Sequence, residues 1–388
     1  MKAIYIHQYY QETKGATRSY HFSKGLREAN HDVTVITGLS ETKIRKDGAK
    51  IISTKTRYTQ KMRFVKRIMA FVHFILWSMF YGLKERNPDI IIASSTPLTV
   101  GIIGVVLSKI KRCPFVFEVR DVWPDIPIEL GFIRQKWLAT LLKFLEKWIY
   151  KHASHIIVLS EPMKQNLMQK KVPPDKITVI ENLSDTELAQ QLKHSHLDDT
   201  DIADFFNHYF VVAHTGTMGY VNGVDYFAEI AKEAAKHNIA FLLIGEGSEK
   251  QFLVDKIAEQ KLDNIRVLGT RSKDEIYRIL HHADVGAMTV INKPILWDNS
   301  ANKFFDYLAI GLPVILNYQG WQNQVLEKYQ AGKGFAYHDQ SGFIDHLVKL
   351  KNDKHLYIRQ SENAKILGEK YSIGCQFQKF LKVLEEQR

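Results

Sequence analysis

The chain has 388 residues, of which 45% are hydrophobic and 24% are charged, and its formal net charge at pH 7 is +11. This length predicts two core-forming domains, and this composition excludes a disordered chain. The two cysteines, Cys113 and Cys375, are far apart and lack metal-ligand spacing. Their placement argues against a disulfide framework or a zinc site and favours a reducing compartment.

The positive charge is concentrated in the first half of the chain. Residues 1–180 contain 30 Lys and Arg against 14 Asp and Glu, whereas residues 181–388 contain 23 against 28. A basic half suits an anionic membrane surface, a phosphate-bearing substrate or nucleic acid. Because no zinc-finger or RNA-binding fingerprint accompanies the charge, we do not expect nucleic acid as a partner.

Short runs rich in Ile and Val alternate with helical stretches along the chain, which predicts two parallel sheets flanked by helices. The predicted strands are 3–7, 32–37, 89–94, 114–119, 155–160, 209–214, 239–244, 265–268, 284–289 and 313–316. Residues 1–7 therefore form a strand rather than an export signal, and we expect a cytoplasmic protein.

The domain boundary is placed in the polar, acidic segment 186–207, which is interpreted as a linker. It separates an N-terminal domain at 1–185 from a C-terminal domain at 208–370, and a last helix at 371–388 is predicted to pack back on the first domain. Because ligands of such sheets bind beyond the carboxyl ends of the strands, we expect the chemistry in the loops that follow the strands, with the two domains facing each other across a cleft.

The loop after the first strand contains Lys14, Gly15 and Arg18 and opens a helix. Gly15 permits a tight turn, and the two basic side chains place positive charge beside a helix N-terminus. This loop is a candidate site for the phosphate of an acceptor. The alternative is a simple turn with solvated basic residues.

Residues 61–86 combine an apolar stretch with basic flanks and with Trp77 and Tyr81. The stretch is shorter than the ~20 residues that a helix needs to cross a bilayer. The pattern instead predicts a helix lying at an anionic lipid surface, and residues 133–151 repeat it. The alternative is that both helices merely cover a sheet.

The strand at 114–119 runs into Arg120, Asp121 and Trp123. An Arg fork, a carboxylate and an indole at a strand end can converge on a polar ligand, and Asp121 is a candidate base or orienting group for a substrate hydroxyl. A purely structural pair of Arg120 with Asp121 is the alternative.

Three strands of the second half end in glycine-bearing turns, which let backbone N–H groups approach a diphosphate. Their residues of interest are Gly216, Thr217 and Gly219 in the first turn, Gly245 in the second, and Gly269 and Arg271 in the third. One such turn is a weak signal, but three at successive strand ends predict a phosphate site.

Two carboxylates, Asp298 and Asp306, stand eight positions apart, ahead of a Gly-Leu-Pro turn at 311–313. We predict that Asp306 opens a helix whose N–H groups and dipole hold its carboxylate, so that its oxygens accept both hydroxyls of a ribose. Lys303, between the acids, can meet a phosphate. For the pair alone, an ordinary capped junction is the alternative.

The order of these landmarks resembles that of the retaining family 4 glycosyltransferases of GT-B fold, over essentially the whole chain. The acid pair falls where that family carries its Glu-x7-Glu motif. Further matches are 158–164, 177–182 and 305–315. More narrowly, 17–20, 117–124 and 302–307 resemble a branch that includes the L-fucosamine transferases of bacterial O-antigen and capsule assembly.

The resemblance implies an α/β chain of GT-B fold with two Rossmann-like, doubly wound parallel-sheet domains, and it implies neither a metal nor a cofactor. Asp306 would hold the ribose, and Asp298 would lie near the donor sugar and diphosphate. Thr217 and Asn222 stand where many relatives have Arg and Lys. Lys303, and after it Arg271, are therefore expected to neutralise the diphosphate.

The expected roles fall into three groups. The catalytic residues are Asp121, Asp298 and Lys303. The donor-binding residues are Gly216, Thr217, Gly219, Gly245, Arg271, Asp298, Asn302, Lys303 and Asp306. The acceptor-binding residues are Lys14, Gly15, Arg18, Arg120 and Trp123.

The predicted activity is retaining transfer of a sugar, an N-acetylated amino or deoxyamino hexose, from a nucleoside diphosphate, with UDP favoured. The acceptor is a polyprenyl-diphosphate-linked saccharide at the inner face of the cell membrane. Cationic groups, glycine amides and a helix dipole can stabilise the departing diphosphate without a dedicated nucleophile. The alternatives are a UDP-sugar epimerase of the same fold and a non-catalytic, membrane-bound scaffold subunit.

Overall fold

The computed structural model describes residues 1–11, 17–38, 43–44, 49–57, 62, 64–197 and 200–388. These residues form two compact units, one of Met1–Glu181 with Gln376–Arg388 and the other of Asn182–Cys375. Each unit contains one sheet, parallel apart from a single short strand in the first unit. The predicted α/β class with two Rossmann-like domains is thereby confirmed.

The first unit contains an eight-stranded sheet whose central strands are buried. Its strands are β1 (Lys2–His7), β2 (Asp32–Thr37), β3 (Lys43–Ile44), β4 (Lys50–Ser53), β5 (Ile90–Ser94), β6 (Phe115–Val119), β7 (His155–Val158) and β8 (Ile177–Val179). They follow the order β3-β4-β2-β1-β5-β6-β7-β8, and of these only β3 runs antiparallel to its neighbour. Runs of Ile and Val form such strands because β-branched side chains pack well on a buried pleated surface.

Helices flank this sheet, and their apolar faces complete its core. They are α1 (Arg18–Glu28), α2 (Phe64–Lys84), α3 (Val100–Lys111), α4 (Asp125–Glu129), α5 (Lys136–His152) and α6 (Glu161–Gln169). The start of α6 shows how sequence sets a boundary, since the Ser160 hydroxyl accepts the Met163 N–H and a proline follows in the first turn.

The second unit begins with two helices, α7 (Thr186–Leu192) and α8 (Thr200–His208). These helices occupy most of the segment that the sequence analysis took for a linker, and they belong to this unit. Asp185 caps α7 by accepting the Leu188 N–H at 3.2 Å. A capping residue directly ahead of this segment thus indicates that it opens with a helix rather than with a flexible connection.

The second sheet has six parallel strands in the order β11-β10-β9-β12-β13-β14. Its strands are β9 (Phe210–Thr215), β10 (Ile239–Ile244), β11 (Ile265–Leu268), β12 (Val285–Met288), β13 (Val314–Leu316) and β14 (Gly332–Gly334). The helices are α9 (Asp225–Lys236), α10 (Lys250–Gln260), α11 (Lys273–Leu280), α12 (Asn302–Ile310), α13 (Trp321–Tyr329), α14 (Gln340–Asn352) and α15 (Lys354–Lys370). This is the doubly wound order, and it reverses direction between β9 and β12.

The last helix, α16 (Ile373–Glu386), contributes aromatic side chains to the first unit. Phe380 stacks on Phe22 of α1 with ring centroids 4.4 Å apart. Phe377 lies against Gly25, where an added Cβ would meet its ring at 2.7 Å. A glycine on α1 therefore lets the two helices approach closely.

A buried ion pair connects α1 to β6 in the first unit. Arg18 Nε lies 2.6 Å from Glu118 Oε1, and both side chains are almost fully buried. The guanidinium also donates to the carbonyl oxygens of Ile180 and Glu181. Burial alone would raise the pKa of Glu118, but Arg18 and Arg120 outweigh it and lower that pKa. Arg18, expected at the acceptor phosphate, is instead used internally, because each of its nitrogens has a protein partner.

Two glycine turns of the second unit are packed backbone against backbone. Gly245 has φ +155°, and a Cβ there would overlap the carbonyl oxygen of Gly216, whose own φ is +106°. A Cβ on Gly247 would likewise overlap the backbone of Met218, whose N–H donates to the Glu246 carbonyl oxygen at 2.9 Å. The loops after β9 and β10 can lie side by side only because these positions lack side chains.

We expect Arg18→Met to lower the free energy of unfolding of the first unit by about 3–5 kcal/mol, because it leaves the buried Glu118 carboxylate without its cation. Urea unfolding measures the change. Lys24→Met on the same helix removes only an exposed pair with Glu28 and should cost less than about 0.5 kcal/mol. Adding Glu118→Gln to the Arg18 variant should recover much of the loss, and equal stability of the two single variants would contradict the assignment.

We expect Gly245→Ala to destabilise the second unit by more than the roughly 1–3 kcal/mol that a strained backbone conformation costs, because the new methyl group overlaps the Gly216 carbonyl. Thermal unfolding measures the effect. Gly374→Ala is the matched control, since no atom lies within 4 Å of an added Cβ there. A Gly245 variant as stable as this control would show that the two turns do not pack as described.

Candidate functional site

The site in the second unit lies at the carboxyl ends of its central strands. The Gly216 turn follows β9, the Gly245 turn follows β10, and the loop after β12 leads to Asp298 and the start of α12. This edge is where the strand order reverses, which is the usual ligand site of such sheets. The structure therefore brings Gly216, Gly245 and Lys303 together, as the sequence predicted.

Lys303 extends from the first turn of α12 to the Gly216 turn. Its Nζ lies 2.9 Å from Nε2 of His214, and its Cε is 3.4 Å from the position that a Cβ on Gly216 would take. Burial lowers the pKa of Lys303 to about 7. Burial, and then the nearby Lys303, hold the pKa of His214 well below its usual value. An amine with a pKa near 7 that forms no ion pair with a carboxylate among the described residues is poised to respond to an arriving anion.

Asp306 does not open a helix, which corrects the sequence analysis. Helix α12 begins at Asn302, so that Asp306 lies in its second turn. Its Oδ1 accepts the Tyr277 hydroxyl at 2.8 Å and lies 3.4 Å from Lys273 Nζ. Lys273 also lies 3.8 Å from Asp185. Side chains from α11, rather than a helix dipole, therefore hold this carboxylate.

The segment that carries Asp298 and Asn302 is held in place through hydrogen bonds to its backbone carbonyl groups. Asp298 ends a 3₁₀ turn (Pro294–Asp298) and is half-buried, whereas Asn302 is exposed. The Asn299 carbonyl oxygen accepts the Trp321 indole N–H at 3.1 Å, and the Ser300 carbonyl oxygen accepts Asn182 at 2.6 Å. The N-cap residue of α12, Ala301, provides no side-chain acceptor, so the first N–H groups of this helix have no side-chain cap.

Only some of the polar groups in the Gly216 turn are available to bind a ligand. Thr217 is exposed, whereas the Gly219 N–H donates to Asn222 Oδ1 at 3.2 Å. Asn222 therefore orders the turn. Arg271 is half-buried beyond the edge strand β11, and its Nη1 reaches only the neighbouring Thr270 carbonyl oxygen at 3.4 Å. Two cations were expected at the diphosphate, Lys303 and Arg271. Of these, Lys303 has the stronger geometric support, because it lies beside the Gly216 turn.

In the first unit, Arg120, Asp121 and Trp123 follow β6, and all three are half-buried. Asp121 accepts the Thr96 hydroxyl at 3.0 Å, and the Arg120 N–H donates to Ser95 Oγ at 3.0 Å. Within the described part of the chain, no ion pair joins Arg120 to Asp121, so the structural alternative for them is not observed. Lys14 and Gly15 lie outside the described residues.

Sequence reasoning missed several polar side chains near these positions. His7, at the end of β1, contacts Ser19 Oγ at 2.6 Å through Nδ1, and burial, followed by the charge of Arg120, lowers its pKa to about 3. His214, Lys273 and Tyr277 were missed as well. Only His214 carried a signal, because it directly precedes a glycine turn at a strand end.

The described residues also bear on metals and on membranes. They contain no group of three or more His, Cys, Asp or Glu side chains placed to hold a metal ion. A separate search of the same residues finds no helix that is both long and apolar enough to span a bilayer.

Two family models match the chain. The model described as Glycosyltransferase Family 4 matches residues 15–188, and the model described as Glycosyl transferases group 1 matches residues 209–353. One curated relative is the UDP-Gal:α-D-GlcNAc-diphosphoundecaprenol α-1,3-galactosyltransferase of Escherichia coli, which is 25% identical over 300 residues. The match covers 75% of this chain and 73% of that enzyme.

Solved glycosyltransferase structures share the fold. Anabaena Alr3699/HepE in complex with UDP-glucose has a TM-score of 0.72 at 16% identity over the whole of both chains. Sucrose-phosphate synthase from Thermosynechococcus elongatus has a TM-score of 0.78 at 13% identity, covering 100% of this chain and 99% of that one. WaaG, a glycosyltransferase involved in lipopolysaccharide biosynthesis, has a TM-score of 0.68 at 12% identity, with 98% and 99% covered.

The fold matches the GT-B glycosyltransferases, and the two family models together span most of the sequence. The narrower likeness to L-fucosamine transferases finds no counterpart among these relatives. The chain is a glycosyltransferase, and its N-terminal and C-terminal parts match the Family 4 and group 1 models, respectively.

Proposed function

We propose that the enzyme transfers a sugar from a UDP-sugar to a saccharide linked to a polyprenyl diphosphate, with retention of the anomeric configuration. The observation that supports it most directly is the site at the β9–β12 edge, where two glycine turns, a half-buried lysine and a positioned carboxylate lie in one unit. The Escherichia coli relative, named for a UDP-sugar donor and a diphosphoundecaprenol acceptor, supports the two substrate classes.

The donor site would work mainly by binding the departing diphosphate. Lys303, when protonated, and the uncapped N–H groups at the start of α12 would present positive charge to it. Asp306 would accept the ribose hydroxyls through the oxygen that neither Tyr277 nor Lys273 contacts. Thr217, Gly219, Arg271, Asp298 and Asn302 complete the proposed donor contacts, and Asp298 would lie toward the sugar.

The acceptor residues are proposed in the first unit. Arg120 and Trp123 would contact the acceptor, and Asp121 would orient its attacking hydroxyl. Lys14 and Gly15 stay in the proposal as predictions from sequence. Arg18 is left out because its guanidinium is already satisfied by Glu118 and two carbonyl oxygens.

Peripheral binding to the inner face of the cell membrane is part of the proposal, and α2 supports it. One stripe of this helix exposes large apolar side chains at helical spacing: Val65, Ile68, Met69, Val72, Leu76, Trp77, Phe80 and Leu83. The opposite stripe, with Phe74, is buried in the core. Helix α5 adds the exposed Trp137, Leu141 and Phe144 beside several lysines. Apolar stripes with cationic neighbours suit an anionic lipid surface.

The biosynthetic setting and the sugar come from the sequence resemblance. We propose an N-acetylated amino or deoxyamino hexose as the donor sugar, in O-antigen or capsule assembly. The deciding experiment incubates the enzyme with UDP-, GDP- and dTDP-sugars, with and without a polyprenyl-diphosphate-linked N-acetylglucosamine, and identifies products by mass and anomeric configuration. An extended lipid-linked saccharide is expected. A new sugar epimer without any acceptor, or no reaction with any donor, would overturn the proposal.

We expect Asp306→Asn to weaken UDP binding roughly ten- to hundredfold, because two charge-assisted hydrogen bonds to the ribose become neutral ones. Calorimetry with UDP and with 2′-deoxy-UDP measures it. Wild-type enzyme should prefer UDP, and the variant should lose that preference. Asp274→Asn, at an exposed position of α11, is the control. An unchanged preference in the Asp306 variant would remove this residue from the ribose site.

We expect Val72→Glu with Leu76→Glu to reduce binding to vesicles containing anionic lipid by tenfold or more, because two side chains would no longer enter the lipid. Sedimentation with vesicles measures binding. The double variant should convert a water-soluble short-chain acceptor as efficiently as the wild-type enzyme does. The control replaces two other exposed apolar residues, Phe252 and Ile366, with Glu. Equal losses in both double variants would rule out α2 as the lipid-binding surface.

A further inference from the structure

We propose that His214 is a positioning residue of the donor site, which holds the Lys303 amine beside the Gly216 turn so that this cation can meet the donor diphosphate. The inference rests on the proposed function in taking a nucleoside diphosphate as the ligand. It assigns a role to a side chain that belongs to the strand β9 rather than to the loops.

The contacts of the imidazole decide which of its nitrogens carries the proton. His214 is fully buried, and its Nδ1 lies 3.1 Å from the carbonyl oxygen of Ala287. A carbonyl oxygen can only accept, so Nδ1 is the protonated nitrogen and Nε2 keeps a lone pair. The Lys303 amine, 2.9 Å away, donates to that lone pair.

Neighbouring side chains keep the ring in this orientation. Phe227 of α9 contacts the imidazole edge to face, with ring centroids 5.3 Å apart. The Tyr307 hydroxyl donates to the same Ala287 carbonyl oxygen at 3.2 Å and accepts the Thr215 N–H at 2.9 Å. The carbonyl oxygen thus accepts from both side chains, and the imidazole can neither flip nor rotate without breaking a buried hydrogen bond.

Lys303 has an acceptor here but no counter-charge. Among the described residues, no carboxylate forms an ion pair with Lys303. In the part of the chain that the structure describes, the titratable groups that contact the pair are each other and Tyr307, whose pKa is raised by burial, so that it stays neutral. Burial lowers the pKa of Lys303 to about 7, and burial, followed by the nearby Lys303, lowers the pKa of His214, which keeps the imidazole neutral. The pair therefore carries at most one positive charge near neutral pH.

A bound diphosphate would supply the missing negative charge and favour the protonated amine. Below pH 7 the amine already carries its proton, so donor affinity should change little with pH. Above pH 7 the free enzyme has lost that proton and binding must take one up, so affinity should fall by up to tenfold per pH unit. His214 makes this response possible because it offers the amine an acceptor without adding charge.

The test measures UDP affinity by calorimetry between pH 6.5 and 9 for the wild type, His214→Phe, His214→Gln and Lys303→Met. Wild-type affinity should fall above pH 7, and Lys303→Met should bind weakly with a smaller pH dependence. His214→Phe keeps the ring volume but removes the acceptor, so it should lose about tenfold in affinity at pH 7. His214→Gln places an amide oxygen near the former Nε2 and should recover most of that loss.

A residue that only packs would give different results. If His214 acts through Lys303, the double variant His214→Phe, Lys303→Met should bind UDP no more weakly than Lys303→Met alone. Additive losses, or a His214→Phe variant with the wild-type affinity and pH profile, would overturn the inference. Circular dichroism establishes that each variant is folded.

A second measurement tests the Lys303–His214 contact without UDP. NMR of lysine labelled at Cε follows the titration of Lys303, with Lys303→Met giving the assignment. A midpoint near 7 is expected in the free wild-type enzyme and should move up when UDP is added, whereas a midpoint above 9 in the free enzyme would overturn the inference. If UDP does not bind at all, the proposed function fails. A midpoint that His214→Phe shifts and His214→Gln restores would then still support the Lys–His contact, and a midpoint that neither variant moves would overturn it.

Discussion

The close approach of two glycines shapes the proposed donor site. Because neither Gly216 nor Gly245 has a side chain, the backbones after β9 and β10 lie against each other, and the Lys303 side chain can reach the first turn. A side chain on Gly245 would push the turns apart and displace the Gly216 turn from Lys303. The doubly wound strand order places this contact at the edge where β9 and β12 separate.

Two cations of the enzyme show how a counter-charge separates structural from functional charge. Arg18 is paired with Glu118 and donates to two carbonyl oxygens, so its charge is fully balanced inside the first unit. Lys303 is half-buried, its hydrogen-bond partner among the described residues is a neutral imidazole, and burial of its amine lowers its pKa to about 7. A cation that is removed from water without a counter-charge is costly to the folded state, and a ligand that supplies that charge recovers the cost. This difference is why we assign one residue to the fold and the other to the donor.

The exposed apolar surface of α2 is a feature of the first unit that is likewise unfavourable without a binding partner. Half of the helix packs on the sheet through residues such as Phe74, while the other half exposes eight large apolar side chains. A contiguous apolar stripe is unfavourable in water and marks a surface that something else covers. Its cationic neighbours, together with the excess of Lys and Arg in this half of the chain, favour an anionic lipid surface.

The sequence by itself determined the fold class and ten of the fourteen strands found among the described residues. Each of these ten lies within two residues of its predicted bounds, because β-branched runs between helical stretches have few other ways to pack. The strands β3, β4, β8 and β14 were not predicted. Three of these are edge strands and β4 lies beside β3, so that pairing with a neighbour decides whether they form.

The sequence also located the glycine turns, Lys303 and the acid pair, because strand ends converge at one edge of a parallel sheet. Only the tertiary structure decided what each polar side chain contacts. It placed Asp306 in the second turn of α12, used Arg18 inside the first unit, and set His214 against Lys303 across 89 residues of sequence. A hydrogen bond depends on positions to within a fraction of an ångström, and such positions are fixed by the packing of elements distant in sequence, which no local pattern records.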